Sequence, residues 1–231
     1  MELQMEHVNT GTAQHATSAE TQKVLRNTYM LLSMTLAFSA LTAGISMSMN
    51  LGGGAAIMMS LAALAIVWFV LPRTANTAMG LPVVFLFTGL LGAALGPMLN
   101  RYLALPNGSE MVMQALGGTA IIFFSLSAYV LTTKKDFSFM GGFLFVGLMV
   151  VIVGAVGAMI ASYFFGVDIS LLSLVISGAI VLLMSGFILF DTSRIINGGE
   201  TNYIMATVGL YLNIYNLFTA LLHIIGATSD D

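Results

Sequence analysis

Long apolar runs, broken by short polar or turn-forming stretches, set the pattern of this chain. A membrane-spanning helix needs about 20 mostly apolar residues. Seven stretches qualify: Thr28 to Met49, Gly53 to Leu71, Ala78 to Leu99, Met111 to Leu131, Phe139 to Phe164, Ile169 to Phe190 and Tyr203 to Gly226. The boundary between the first two carries no charge, only Asn50-Leu51-Gly52-Gly53-Gly54. Thr28 to Leu71 is nonetheless too long for one crossing, so the chain must turn there. Pro72, Pro106 and the pair Asn107-Gly108 punctuate other joints. The pattern predicts an all-α polytopic membrane protein, a seven-helix bundle over residues 27–231. Residues 1–26 differ: they are polar, rich in Thr, Gln, Glu and His, and show no hydrophobic period. They lack the apolar core of a signal peptide and read as a flexible soluble tail.

Composition agrees with the pattern and excludes other classes. Of 231 residues, 58% are hydrophobic and 7% charged, against about 25% charge in a soluble domain. Such a chain could not cover a water-facing surface with polar groups, which excludes a cytosolic enzyme and a nucleic-acid binder. With no cysteine there is no disulfide framework or thiolate chemistry. Charge location matters more than the net charge of −3. Seven crossings place Lys23, Arg26, Arg73, Lys134, Lys135 and Arg194 on the N-terminal side and leave only Arg101 opposite. By the positive-inside rule the N-terminus is cytoplasmic and the C-terminus, Asp230-Asp231, lies on the far, periplasmic side.

Lipid gives little hydrophobic drive between helices, so small residues must let backbones approach. Gly92 and Gly96 form a small-xxx-small pair in the third span, and Gly147, Gly154, Ala158 and Ala161 share one face of the fifth. Packing within one chain is the simpler reading and a dimer interface the sharper one; no feature specifies an oligomeric state. Of the seventeen methionines, fifteen are spread over the spans, as core filling requires.

An ionisable residue within a span is costly and therefore a functional candidate. Two stand out: Asp191 at the end of the run Ile180 to Phe190, and His223 deep in the last span. Arg194, three residues on, is within reach of Asp191 for an interfacial ion pair. Asn213, Asn216, Thr219 and His223 follow at steps of three, three and four, along one side of a helix. Lipid would penalise that stripe, so it must face other helices, and Asp191 is the nearest carboxylate in sequence. Asp191, Asn213, Asn216 and His223 are thus the candidate core polar site. Enzyme motifs are wanting: the sequence holds no H-E-x-x-H, no phosphate-binding loop and no dinucleotide fingerprint. An aspartyl intramembrane protease needs two carboxylates at depth, and only Asp191 is available. No cofactor or metal is expected. Asn107-Gly108-Ser109 fits a glycosylation acceptor, and a turn explains it as well.

Several of these stretches resemble the BAX-inhibitor (TMBIM) membrane family. They are Phe190-Asp191-Thr192-Ser193, Gly198-Gly199-Glu200-Thr201-Asn202-Tyr203-Ile204 and Leu210-Tyr211-Leu212-Asn213-Ile214-Tyr215-Asn216-Leu217-Phe218. Lys23 to Tyr29, Ala115 to Ala120 and Ser127 to Thr133 are similar to a bacterial branch that modulates the FtsH protease, and the likeness runs from about residue 23 to the C-terminus. The resemblance implies seven spans with the last helix central, residence in the bacterial inner membrane, and binding to FtsH with its HflK and HflC regulators. It implies an interaction protein that restrains the protease and serves as its substrate through the cytoplasmic tail. The family also has calcium-leak members, in which two aspartates on the last two spans share a proton. Asp191 matches the first position, but Asn213 stands at the second. An Asn cannot supply the second titration, and its amide can donate to Asp191 at any pH. The implied alternative is therefore a cation (calcium) leak with a weakened pH switch, and no acidic residue in the second span extends an ion path.

Overall fold

A computed structural model of the protein describes the backbone of residues 2–229 and the side chains of residues 19–229. The C-terminal pair Asp230-Asp231 lies outside the described residues. The helices are α1 (Glu2–Ser48), α2 (Gly53–Ala65), α3 (Leu71–Thr74), α4 (Gly80–Leu103), α5 (Gly108–Thr133), α6 (Gly141–Phe165), α7 (Ser170–Ile196) and α8 (Tyr203–Thr228). A π turn, Ile66–Val70, fuses α2 and α3 into one crossing, so seven helical segments are long and apolar enough to span a membrane. Among the described residues there is no strand.

Every expected span has its helix, and most of the helices overrun the apolar run. Helix α4 carries on past Leu99 through Asn100 and Arg101, and α7 passes Phe190 to end at Ile196. Hydropathy marks the slab of hydrocarbon, whereas the backbone ladder continues until a residue or turn breaks it. The backbone of residues 2–26, read from the sequence as a soluble tail, lies in the same helix as the first span. Helix α1 begins at Glu2, and its part from Ala19 to Arg26 is rich in good helix formers that continue the first span. The side chains of residues 1–18 lie outside the described set.

The turn residues act where the pattern placed them. Asn50 and Asn107 take positive φ angles of 51° and 57°, the left-handed conformation that Asn tolerates. Pro72 has no N–H to donate, and the π turn just before it absorbs the broken ladder. Two carbonyls beside it also accept side-chain donors. The Arg73 guanidinium donates to the Phe69 carbonyl, and Thr74 Oγ1 donates to that of Val70 at 2.9 Å.

Helix α8 is central, packing on α7, α5, α1 and α4. Its buried face carries Leu210, Tyr211, Leu217 and Leu222, each 1% exposed or less. Helices α2 and α6 lie outside this group, α2 against α4 and α6 against α7. Only 11% of the span window of each is buried, against 56% for α4. Their large exposed side chains, such as Trp68, Phe143 and Phe164, belong to the lipid-facing surface.

The tightest helix pair is α1 with α4, and glycines make it so. A Cβ at Gly92 would collide with the Ser39 carbonyl and the Thr42 hydroxyl; one at Gly96 would collide with Ser46. The pair Gly92 and Gly96 is therefore packed within one chain. The expected face of α6 divides. Gly147 meets Leu183 of α7 and Ala158 is buried, but Gly154 has nothing within 4 Å. Four positions on one helix face need not meet one partner, because α6 and α7 part toward the far end around a cavity of about 460 Å³.

Candidate functional site

Asp191 lies five residues before the end of α7, inside the helix rather than at its edge. Its neighbours Ile188, Thr192 and Ile195 are buried, which turns the partly buried carboxylate toward α8. Two positions on α8, one turn apart, receive it. Asn213 Nδ2 donates to Asp191 Oδ2 at 2.7 Å. At Gly209 an added Cβ would stand 3.2 Å from the same oxygen, so the missing side chain lets the carboxylate approach the helix. Asn213 is 6% exposed and committed to this contact.

Arg194 does not pair with Asp191. Its guanidinium stacks over the Phe190 ring at 5.5 Å and reaches Glu200 at 3.5 Å and the Gly199 carbonyl at 3.2 Å. The chain reverses after Ile196 with Gly198 at φ 74°, which returns Glu200 to the end of α7. A closer partner thus takes the cation, and Asp191 relies on the amide of Asn213.

The polar stripe of α8 is not one network. Asn216 Nδ2 donates to the Leu212 carbonyl of its own helix at 2.9 Å, and Thr219 Oγ1 bonds the Asn216 carbonyl at 3.1 Å. His223 Nδ1 meets Ser177 Oγ of α7 at 3.0 Å. Ten residues of helix, about 15 Å at 1.5 Å per residue, separate the Asn213 contact from that of His223. His223 is also nearer the helix end than its place in the hydrophobic run suggests, five residues before Thr228. The structure brings together Asp191 with Asn213, and His223 with Ser177, but joins neither pair to Asn216.

Several anchoring residues lie outside the candidates named from the sequence. Tyr211 is 1% exposed, and its hydroxyl joins three helices: Ser39 Oγ of α1 at 2.7 Å and the Thr88 carbonyl of α4 at 3.2 Å. Its ring packs edge-on to Phe87 at 5.8 Å. Asn202 caps α8 by accepting from the N–H groups of Ile204 and Met205, and its amide donates to Ala75 O and Asn76 Oδ1. Ser193, fully buried, accepts from the Phe137 N–H at 2.9 Å and from Asn197 Nδ2 at 3.1 Å, tying the loop after α5 to α7. In that loop, Ser138 side-chain and backbone hydrogen bonds hold the exposed Asp136 carboxyl below its usual range. Tyr211, Asn202 and Ser193 all lie in the stretches that carry the family resemblance; what hid their roles was that hydrogen bonds across helices have no sequence period.

The chemistry available to the site is narrow. Among the described residues no three His, Asp or Glu side chains gather where a metal could be held. Calcium takes six to eight oxygen ligands. Asp191 offers one carboxylate, and Asn213 turns its amide nitrogen to it. The donor set does not fit a bound calcium ion.

Comparison with known proteins places this chain in a family. A family model described as "Inhibitor of apoptosis-promoting Bax1" (Bax1-I) matches residues 21–230. The chain is 53% identical to an "Uncharacterized membrane protein" of Vibrio cholerae, over 92% of each chain. It is 50% identical to the "Modulator of FtsH protease YccA" of Escherichia coli K12, over 91% of this chain and 93% of that protein. The same identity and coverage hold for a protein of another Escherichia coli strain named "Inner membrane protein YccA".

Proposed function

The chain belongs to the Bax1-I membrane family, and from that membership we propose that it is an interaction protein of the bacterial inner membrane that modulates, and restrains, the FtsH protease. One observation carries the reading: 50% identity over 91% of the chain to a protein named as a modulator of the FtsH protease. The site supports it from the other direction. Asp191 is held by a neutral amide and the polar stripe is interrupted at Asn216, so the core reads as a packed scaffold. In this reading HflK and HflC are partners alongside FtsH, and the N-terminus is cytoplasmic with the C-terminus periplasmic. The segment 1–26 is also the end through which the protease would take the protein as a substrate. The one-sided distribution of basic residues supports the orientation.

Co-purification of tagged full-length protein from native bacterial membranes tests the proposal. Recovery of FtsH with HflK and HflC is the expected result, and their persistent absence would overturn it. A cation leak is the second reading, favoured by a carboxylate set within a spanning helix. Proteoliposomes decide it: the scaffold reading expects no protein-dependent calcium flux between pH 6 and 8.

A further inference from the structure

We propose that the cleft between α1 and the end of α5 on the N-terminal face binds the headgroup phosphate of an anionic phospholipid. The cleft, about 670 Å³, is lined by Ala19, Leu25 and Leu131 with Lys23, Arg26 and Tyr29. Gln22, Arg26 and Tyr29 repeat at four and three residues along α1, so they share one face of it. Apolar wall and cationic rim are the two halves of a lipid: acyl chain roots against Leu25 and Leu131, phosphate against Lys23 and Arg26. A soluble polyanion would need no apolar wall at this depth.

Three observations turn a basic surface into a site. First, Lys23 and Arg26 are exposed, and among the described residues the one ion pair is Arg194 with Glu200. Among the described residues, no carboxylate of this face forms an ion pair with Lys23 or Arg26. Glu200 is taken by Arg194, Asp136 by Ser138, and Glu20 lines the adjoining cleft with Lys23 and Lys134. Second, the Tyr29 hydroxyl is shielded from solvent and has no hydrogen-bond partner. An unmatched buried phenol is costly; Tyr29 is among the residues that line the cleft, and a phosphate oxygen reached by a swing of its ring would satisfy it. Third, the cleft stands at the level where the first span begins, beside the face that holds six of the seven basic residues. Arg26 supplies the planar donor fork that phosphate accepts, and Lys23 a compact second charge. Lys134 extends the positive field from the other side of Lys23. The site is independent of the protease reading, since it asks only for a lipid.

Full-length protein in nanodiscs of phosphatidylethanolamine with a minor share of phosphatidylglycerol tests the assignment. Native mass spectrometry would count the lipid that stays bound on release. Phosphatidylglycerol should be retained over phosphatidylethanolamine. Lys23→Gln with Arg26→Gln should lower that retention roughly fivefold for each charge lost. Tyr29→Phe, which keeps the ring and its packing, should lower it several-fold, while Lys23→Arg should keep it. Arg73→Gln, on the same face but away from the cleft, should leave it unchanged. Equal losses in Arg73→Gln would reduce the effect to surface charge and overturn the site. Retention without preference would overturn it as well. Displacement of the lipid by millimolar inorganic phosphate would assign the cleft to free phosphate instead and refute a lipid site.

Discussion

Asn213 Nδ2 donates to Asp191 Oδ2 at 2.7 Å, across the interface of the last two spans. The carboxylate that hydropathy leaves stranded is thus paired with a neutral group that cannot titrate. Replacing that amide with a second acid is the sharpest test. Asn213→Asp would set two carboxylates against each other, and they repel once both are ionised. Stability of the variant in detergent should fall as pH rises from 5 to 8, by on the order of 3 kcal/mol. The parent protein, with one carboxylate at the contact, should show a smaller change over the same range. Thermal unfolding across that range reads the difference, and an absent step in the variant would refute the pairing.

Tyr211 predicts a second outcome. Tyr211→Phe removes the phenol that binds Ser39 and Thr88 but keeps the ring against Phe87. Hydrogen bonds between helices in membranes contribute about 0.6 kcal/mol on average, and a stranded buried hydroxyl at Ser39 adds to the loss. A destabilisation of about 1 kcal/mol is expected. A double-mutant cycle with Ser39→Ala should return a coupling close to that value; zero coupling would remove the bond from the account.

Glycines on two helices should behave oppositely. Gly92→Leu drives a side chain into the Ser39 backbone and should cost more than about 3 kcal/mol or prevent folding. Gly154→Leu meets open space and should leave the fold within about 0.5 kcal/mol of the parent. Expression yield and thermal unfolding of the pair decide whether helix packing within one chain explains both sites.

Asn202→Ala should loosen both segments that this residue joins. The loss of an N-cap costs about 1 kcal/mol, and two hydrogen bonds to residues 75 and 76 are lost with it. Hydrogen exchange should rise at residues 203–206 and in the loop after α3 together. A rise in only one of them would show that the two are not coupled through Asn202.

Asp136 supplies a pH dependence outside the membrane. Its carboxyl is held low by Ser138, with Ser193 adding to the effect. A folded value below the unfolded one means the contribution is present above the ordinary carboxylate range and lost as pH falls through the folded value. Ser138→Ala should return Asp136 toward its ordinary range, as a carboxyl-carbon NMR titration would show. An unchanged titration would mean the hydrogen bonds do not hold it.

Much of the fold was legible because the bilayer leaves few solutions. Hydrophobic length alone fixes a spanning helix, and Asn50 and Asn107 announced turns that need a left-handed residue. The site was legible only in part. Asp191 and Asn213 could be singled out by polarity, and their contact has the predicted form. Arg194 went elsewhere because Glu200 returns to it through a reversal at Gly198, a geometry with no trace in spacing. Gly154 shared a helix face with Ala158 but not a partner, since α6 touches the bundle along α7 alone.

The sequence by itself determined the class of the protein, its seven crossings, the concentration of basic residues at one end, and a lone carboxylate within a span. These follow from transfer free energies, which depend on residue type and order along the chain. The tertiary structure decided which polar groups meet. It set Asp191 against Asn213 and Gly209, sent Asn216 back to its own helix, and made Tyr211 the tie between three helices. Those choices turn on rotations and offsets of a few ångströms between packed helices, and a linear pattern does not record them.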